Sequence, residues 1–85
     1  DEAGVRVTIL CFARLRDLVG SPRLLRDVPD GATVETVWAA LAAEFPAVAP
    51  HRPAVAAAVN ARFARFASPV AEDDEVAFLP PVAGG

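Results

Sequence analysis

Hydrophobic and polar residues alternate at the start of the chain. In residues 5–13, VRVTILCFA, alternation places Val5, Val7, Ile9 and Cys11 on one face of a strand and Arg6, Thr8, Leu10 and Phe12 on the other. The first set is the better core face, which leaves Leu10 and Phe12 outward unless another element covers them. Residues 14–20 have helical spacing and end at Gly20, so they predict one short helical turn. Residues 23–29 predict a second strand, which closes at a Pro-Asp-Gly turn.

The clearest helix is predicted over residues 33–45, TVETVWAALAAEF. Thr33 can cap it, and Glu35 places negative charge in its first turn, where the helix dipole favours it. One apolar stripe recurs at three- and four-residue steps, formed by Val34, Val37, Trp38, Leu41 and Phe45. Pro46 ends the helix. Residues 46–53 hold three prolines and the single histidine, and they predict a loop.

The second half of the chain predicts three strands. They cover residues 54–60, 62–66 and 75–79, with a turn at Asn60-Ala61 and a turn-rich segment at 68–74. In the last strand, Val76 and Phe78 share one face, and Ala77 and Leu79 share the other.

The element order predicts an α+β fold, a ubiquitin-like β-grasp. A mixed sheet of four to five strands would pack on one main helix, which covers one sheet face and leaves the other to solvent or partners. We expect one domain over residues 1–79, with 1–4 set aside as processed or added residues, and an extended tail over 80–85.

Composition narrows the classes of function. The net charge is −3, and the eight basic residues are scattered arginines with no lysine, unlike the basic face that binds nucleic acid. No run approaches the roughly 20 apolar residues of a membrane span, and we see no secretory signal. One cysteine excludes an internal disulfide and fits a reducing compartment. We therefore expect a cytoplasmic protein without nucleic-acid or membrane partners.

No catalytic set is evident within the domain. Cys11 is expected in the core and His51 in a loop, so a nucleophilic pair is disfavoured against a buried thiol and a solvated imidazole. The acidic run at 72–75 lacks the spacing of a calcium loop and fits a solvated turn. We predict no metal site.

The C-terminus is then the candidate reactive group. The chain ends EVAFLPPVAGG, and its terminal carboxylate must be activated before it can act as an electrophile. Pro80 and Pro81 favour an extended conformation that directs the tail outward. Val82 to Gly85 then reach roughly 13 Å, and Gly84-Gly85 allow close backbone approach in a narrow channel.

Three stretches carry a family resemblance. DEVAFLPPVAGG (74–85), VTILCFARLRDLVG (7–20) and AVNARFARFASPVAEDDEVAF (58–78) resemble the small subunit of molybdopterin synthase, a family of β-grasp sulfur carriers. The resemblance implies that a partner enzyme adenylates the Gly85 carboxyl with ATP and that sulfur converts it to a thiocarboxylate. The domain would bind no cofactor itself. It would be the sulfur-donating, non-catalytic subunit.

The resemblance also implies partners. The tail would enter the large synthase subunit, which transfers the sulfur to a cyclic pyranopterin monophosphate within a heterotetramer; an activating enzyme and a sulfur donor system reload it. Phe63 and Leu79 match apolar contact positions of the family, and Phe12 faces outward. The predicted partner-binding set is Phe12, Phe63, Leu79, Pro80, Pro81, Val82 and Ala83. Of the two nearby phenylalanines, we assign Phe66 to the core. Four arginines are candidates for rim contacts or for solvation: Arg14, Arg16, Arg62 and Arg65.

Three alternatives remain open from the sequence. The first is a carrier that supplies sulfur to thiamine, cysteine or thiolated nucleosides, although the Pro-Pro-Val segment favours molybdopterin. The second is a ubiquitin-like modifier that joins lysines through Gly85. The third is a β-grasp binding module in which the terminal Gly-Gly has no function.

Overall fold

Five strands form one mixed sheet in the computed structural model, which describes residues 4–80. The elements are β1 (Gly4–Cys11), α1 (Ala13–Val19), β2 (Arg23–Pro29), α2 (Val34–Glu44), a 3-10 helix (Pro46–Ala54), β3 (Ala56–Val59), β4 (Arg62–Ala64) and β5 (Glu75–Leu79). The strand order is β2-β1-β5-β3-β4. Only the central β1–β5 pair is parallel. The predicted β-grasp fold is confirmed.

The turn from β1 into α1 comes two residues earlier than the alternation predicted. β1 ends at Cys11, and Phe12 is the extended N-cap of α1, with φ −123° and ψ 153°. Alternation could not locate this end, because Phe12 still has an apolar side chain and an extended backbone. The helix stops at Gly20 as predicted, where φ is 86° and the N–H donates to the Arg16 carbonyl at 2.8 Å.

Helix α2 begins where its sequence predicted. Thr33 Oγ1 accepts from the Thr36 N–H at 3.3 Å, and Thr36 Oγ1 accepts from the Thr33 N–H at 3.1 Å, so the two threonines cap each other. The next two amide donors, of Val34 and Glu35, bond to carbonyls of the loop between β4 and β5. These bonds fix the helix start against the loop before β5.

The segment predicted as a loop at 46–53 is a 3-10 helix instead. Pro46 occupies its first turn, where a missing N–H costs nothing, and Val48 is fully buried beneath it. Short 3-10 turns tolerate proline better than an α-helix does, so the proline-rich composition misled the prediction. None of the helices in residues 4–80 is long and apolar enough to cross a membrane.

The core lies between α2 and one face of the sheet. Phe78 is fully buried, with the Trp38 ring edge-on at 5.0 Å between centroids and the Phe66 ring stacked at 6.1 Å. Phe66 is therefore half-buried against the core, as predicted, whereas Phe63 is 83% exposed. Phe63 therefore projects from β4 on the sheet face opposite α2, whereas Phe66, just after β4, packs against the core.

Candidate partner-binding surface

The sheet face opposite α2 carries an apolar row that crosses four strands. Leu10 pairs with Ala77, Ala77 with Ala58, and Ala58 with Phe63. Paired residues in neighbouring strands project to the same face. The register therefore aligns two large side chains at the ends of the row, with two alanines between them.

This row is the floor of an apolar groove of about 270 Å³. We call it the open-face groove; it is lined by Leu10, Phe12, Ala58, Ala61, Phe63, Glu75, Ala77 and Leu79. The structure thus brings together Phe12, Phe63 and Leu79, three members of the predicted partner-binding set.

Two aromatic side chains of the groove are unusually exposed. Phe12 is 44% exposed and Phe63 is 83% exposed, although each could bury a large apolar area. A contiguous exposed apolar patch of this kind is typical of a protein-interaction site. Leu25 is also exposed, but it lies on β2, outside the groove.

Sequence reasoning missed the alanines that shape the groove. Ala58, Ala61 and Ala77 make a depression because their methyl groups leave space between the larger side chains. The available signal was the alternation in β5, which placed Ala77 on the same face as Leu79. Ala58 joins them through cross-strand register between segments distant in sequence, and Ala61 through the geometry of the β3–β4 turn, neither of which could be obtained from local periodicity.

The lining of the groove contains one charged residue, and arginines are candidates for its rim. Glu75 is its one acidic lining residue, and Arg23 on β2 lies 3.7 Å from its carboxylate. The four candidate rim arginines are exposed, and none joins an ion pair within residues 4–80. Their charge remains available to an acidic partner.

The one thiol and the one imidazole do not form a site. Cys11 is 1% exposed on the core face of β1, and burial raises the pKa of its thiol, as expected for a core residue. His51 is half-buried in the 3-10 helix. Within residues 4–80, no three His, Cys, Asp or Glu side chains are grouped to hold a metal ion.

The last strand delivers the chain to the edge of the groove. β5 lies between β1 and β3, and its final residue, Leu79, pairs with Ala56 and lines the groove. Pro80 follows and is half-buried. The remaining predicted site residues, Pro81, Val82, Ala83, Gly84 and Gly85, lie outside the described residues. The groove therefore borders the point from which the C-terminal segment continues.

The mixed sheet packed on α2 makes this a ubiquitin-like β-grasp domain, with an exposed apolar groove beside its last strand. The chain belongs to the ThiS family, whose sequence pattern matches residues 9–85. The molybdopterin synthase sulfur carrier subunit of Escherichia coli is 39% identical, and the match covers 93% of this chain and 99% of that protein.

Two solved structures have the same fold. The small archaeal modifier protein 1 of H. volcanii superposes with a TM-score of 0.83 at 27% identity, covering 93% of this chain and all of that one. A complex of subunits 1 and 2 of the molybdopterin-converting factor from Helicobacter pylori contains a chain with a TM-score of 0.66 at 18% identity, covering 95% and 100%. At that identity the second likeness concerns the fold alone.

Proposed function

We propose that this chain is the sulfur carrier of molybdopterin synthesis and acts as the small subunit of a molybdopterin synthase. Family membership and the name of the E. coli relative support the carrier role. The observation that carries the proposal is the open-face groove at Leu79, which offers a partner an apolar binding surface next to the C-terminal segment that ends in Gly85. In this function the domain presents the Gly85 carboxyl to its partner enzymes in the cytoplasm.

Activation of the C-terminus needs a partner enzyme. A carboxylate oxygen of Gly85 attacks the α-phosphorus of ATP, and pyrophosphate leaves, which gives an acyl adenylate. A sulfur nucleophile from the donor system then attacks the carbonyl carbon and expels AMP. Attack by a persulfide gives an acyl disulfide. A second thiol then attacks the donor's sulfur of that S–S bond, which releases the thiocarboxylate of Gly85 and leaves the donor in a disulfide with that thiol. The buried Cys11 takes no part in this chemistry.

Delivery of the sulfur uses the tail as an extended arm. A large subunit that packs on Phe63 and Phe12 holds the domain, while residues 80–85 reach its active site. There the thiocarboxylate sulfur displaces an oxygen substituent from a side-chain carbon of the cyclic pyranopterin monophosphate, which gives a thioester between carrier and substrate. Hydrolysis of that thioester leaves the sulfur on the substrate as a thiol and returns the Gly85 carboxylate. Two such transfers build one dithiolene.

Removal of Gly85 tests the reactive end without disturbing the domain. The variant should fold normally, because Phe78 is the last residue along the chain that belongs to the described hydrophobic core. It should fail to gain sulfur when incubated with an activating enzyme, ATP and a sulfur donor. Unfolding on deletion would contradict the proposal that the tail projects from the domain.

A protein-modifier role is the second candidate. The likeness to the H. volcanii small archaeal modifier protein 1, at 27% identity, favours it. In that case the activated Gly85 carbonyl would be attacked by lysine amines of other proteins. Since this chain contains no lysine, such conjugates could not extend through its own side-chain amines. Mass spectrometry of isopeptide-linked products after activation separates the two functions.

A carrier for another sulfur-containing product would share the same activation. Binding to the large synthase subunit distinguishes it, because a carrier for thiamine synthesis has no need of that partner. Tight binding through the groove supports the molybdopterin role. Loading with sulfur but no binding to the large subunit would assign the chain to another pathway.

A further inference from the structure

The two edges of the sheet differ in how their outward backbone groups are satisfied. β2 forms one edge and β4 forms the other. An edge strand presents unpaired N–H and C=O groups that can pair with an added strand. Which residues present them follows from the hydrogen-bond pattern of each ladder.

At the β2 edge, side chains of the chain itself cover three of these groups, the N–H and C=O of Arg23 and the C=O of Leu25. The Cys11 N–H donates to the Pro22 carbonyl at 3.0 Å, so the outward-facing residues of β2 include Arg23 and Leu25. Ser21 Oγ donates to the Arg23 carbonyl and accepts from the Arg23 N–H, at 2.9 and 3.3 Å. Arg26 Nη1 donates to the Leu25 carbonyl at 2.7 Å.

The Arg26 side chain that covers the Leu25 carbonyl is itself fixed by a second contact. The Arg26 guanidinium also makes a two-pronged ion pair with Glu44 of α2, at 2.8 and 2.6 Å. An incoming strand would therefore have to displace an anchored side chain. The β2 edge is thereby blocked at Arg23 and at the Leu25 carbonyl, so continuous pairing with an added strand is obstructed there.

At the β4 edge, Phe63 presents both backbone groups outward. The Asn60 N–H donates to the Glu75 carbonyl, so in β3 the backbone groups of Ala58 face β5. Phe63 pairs with Ala58 and hence has no backbone bond to β3. Its N–H and C=O make no hydrogen bond within residues 4–80.

This open backbone position coincides with the open-face groove. The Phe63 side chain lines the groove, and Arg62 and Arg65 lie on either side of it in sequence, both exposed. An extended segment that bonds to the Phe63 N–H and C=O would place one side chain over the groove. Acidic residues flanking that side chain would complement the arginines.

We propose that the partner at the groove docks by adding an extended, acidic-flanked segment to the β4 edge, with two main-chain hydrogen bonds to Phe63. This inference deepens the proposed function, since it names how the large subunit is held. Because β4 has only three residues, the added pairing is short, and the groove supplies the apolar contact beside it. The β2 edge takes no part.

Two pairs of variants isolate the backbone contribution. Phe63→Ala and Phe63→Pro both remove the ring, but only proline also removes the N–H. Both should fold alike, since this N–H bonds nothing within residues 4–80 and Arg62 is already extended, as a residue before proline must be. Leu25→Ala and Leu25→Pro are the matched pair at the β2 edge, where the N–H removed by proline likewise bonds nothing within residues 4–80.

Binding to the purified large synthase subunit is measured by calorimetry. Phe63→Pro should bind roughly three- to ten-fold more weakly than Phe63→Ala, the loss expected for one hydrogen bond. Leu25→Pro should bind as Leu25→Ala does. Equal affinities for the two Phe63 variants would overturn the proposal, and so would a loss of stability confined to Phe63→Pro, because an open edge position should tolerate proline.

Amide hydrogen exchange of the unmodified chain gives an independent readout. The Phe63 N–H should exchange fast in the free chain and slowly in the complex, whereas the Leu25 N–H should exchange at the same rate in both. Fast exchange at Phe63 in a saturated complex would contradict strand addition yet leave the carrier role intact. Slow exchange in the chain alone that depends on its concentration would assign the edge to a second copy and refute the proposal. Failure of the large subunit to bind the unmodified chain would refute both.

Discussion

Replacement of Phe63 by alanine separates a binding residue from a core residue. Phe63 is 83% exposed, so about one-sixth of its surface contacts the rest of the domain. For an aromatic side chain that can bury roughly 200 Å², this is ~35 Å². At about 25 cal/mol per Å², truncation should lower the free energy of unfolding by less than about 1 kcal/mol.

Phe78 provides the contrasting case in the same sheet. It is fully buried between Trp38 and Phe66, and Phe78→Ala should lower the free energy of unfolding by ~3–5 kcal/mol. Urea titration followed by tryptophan fluorescence measures both losses, because Trp38 is the chain's single tryptophan and is 3% exposed.

The binding experiment completes the test. If Phe63 anchors the partner at the open-face groove, Phe63→Ala should weaken binding to the large subunit by about 2 kcal/mol or more, roughly 30-fold. Leu25→Ala is the control, because Leu25 is 57% exposed but lies outside the groove, and its affinity should match that of the unmodified chain. A stability loss of ~3–5 kcal/mol, or unchanged binding, would refute the assignment of Phe63 to the interface.

Three further predictions concern the scaffold. Ala61 has φ 70° in a two-residue turn that favours glycine, so Ala61→Gly should raise Tm by about 2–4 °C in a thermal melt, and a lower Tm would contradict the strain. Hydrogen bonds from Arg26 hold the pKa of the Glu44 carboxyl below its usual 4.5, so their stabilisation is present above that pH and is lost as the pH falls through the lower, folded-state pKa. Glu44→Gln should therefore lose less Tm on acidification than the unmodified chain; an equal loss would assign the acid sensitivity elsewhere. The Arg52 guanidinium stacks 3.4 Å from the Phe66 ring centroid and also pairs with Glu35 at 2.6 Å, so in a Glu35→Gln background Arg52→Ala should still cost about 0.5–1 kcal/mol in urea titration, whereas no cost in that background would argue against a cation–π contact.

Local patterns predicted most of the element order, because each element has its own periodicity. The apolar stripe of α2 and the alternation in β5 both match the observed burial. The predictions were wrong at the end of β1 and at residues 46–54, where backbone geometry rather than hydrophobicity determines the secondary structure. Phe12 is apolar and extended yet belongs to the helix cap, and the prolines of residues 46–54 fit 3-10 turns as well as a loop.

The candidate surface was predicted in part. Phe12, Phe63 and Leu79 could be chosen because they fall on the outward face of strands or match family positions. The alanine floor, the open N–H of Phe63 and the guarded edge at β2 depend on register between segments far apart in sequence. Such long-range pairings leave no local periodicity to read.

The central claim is that the C-terminal carboxyl of Gly85 carries sulfur. The direct measurement is the intact mass of the chain after incubation with an activating enzyme, ATP and a sulfur donor. The chain should gain the mass that corresponds to replacement of one oxygen by sulfur, located on the C-terminal peptide and absent when ATP is omitted. An unchanged mass, with an enzyme shown to be active on another carrier, would contradict it.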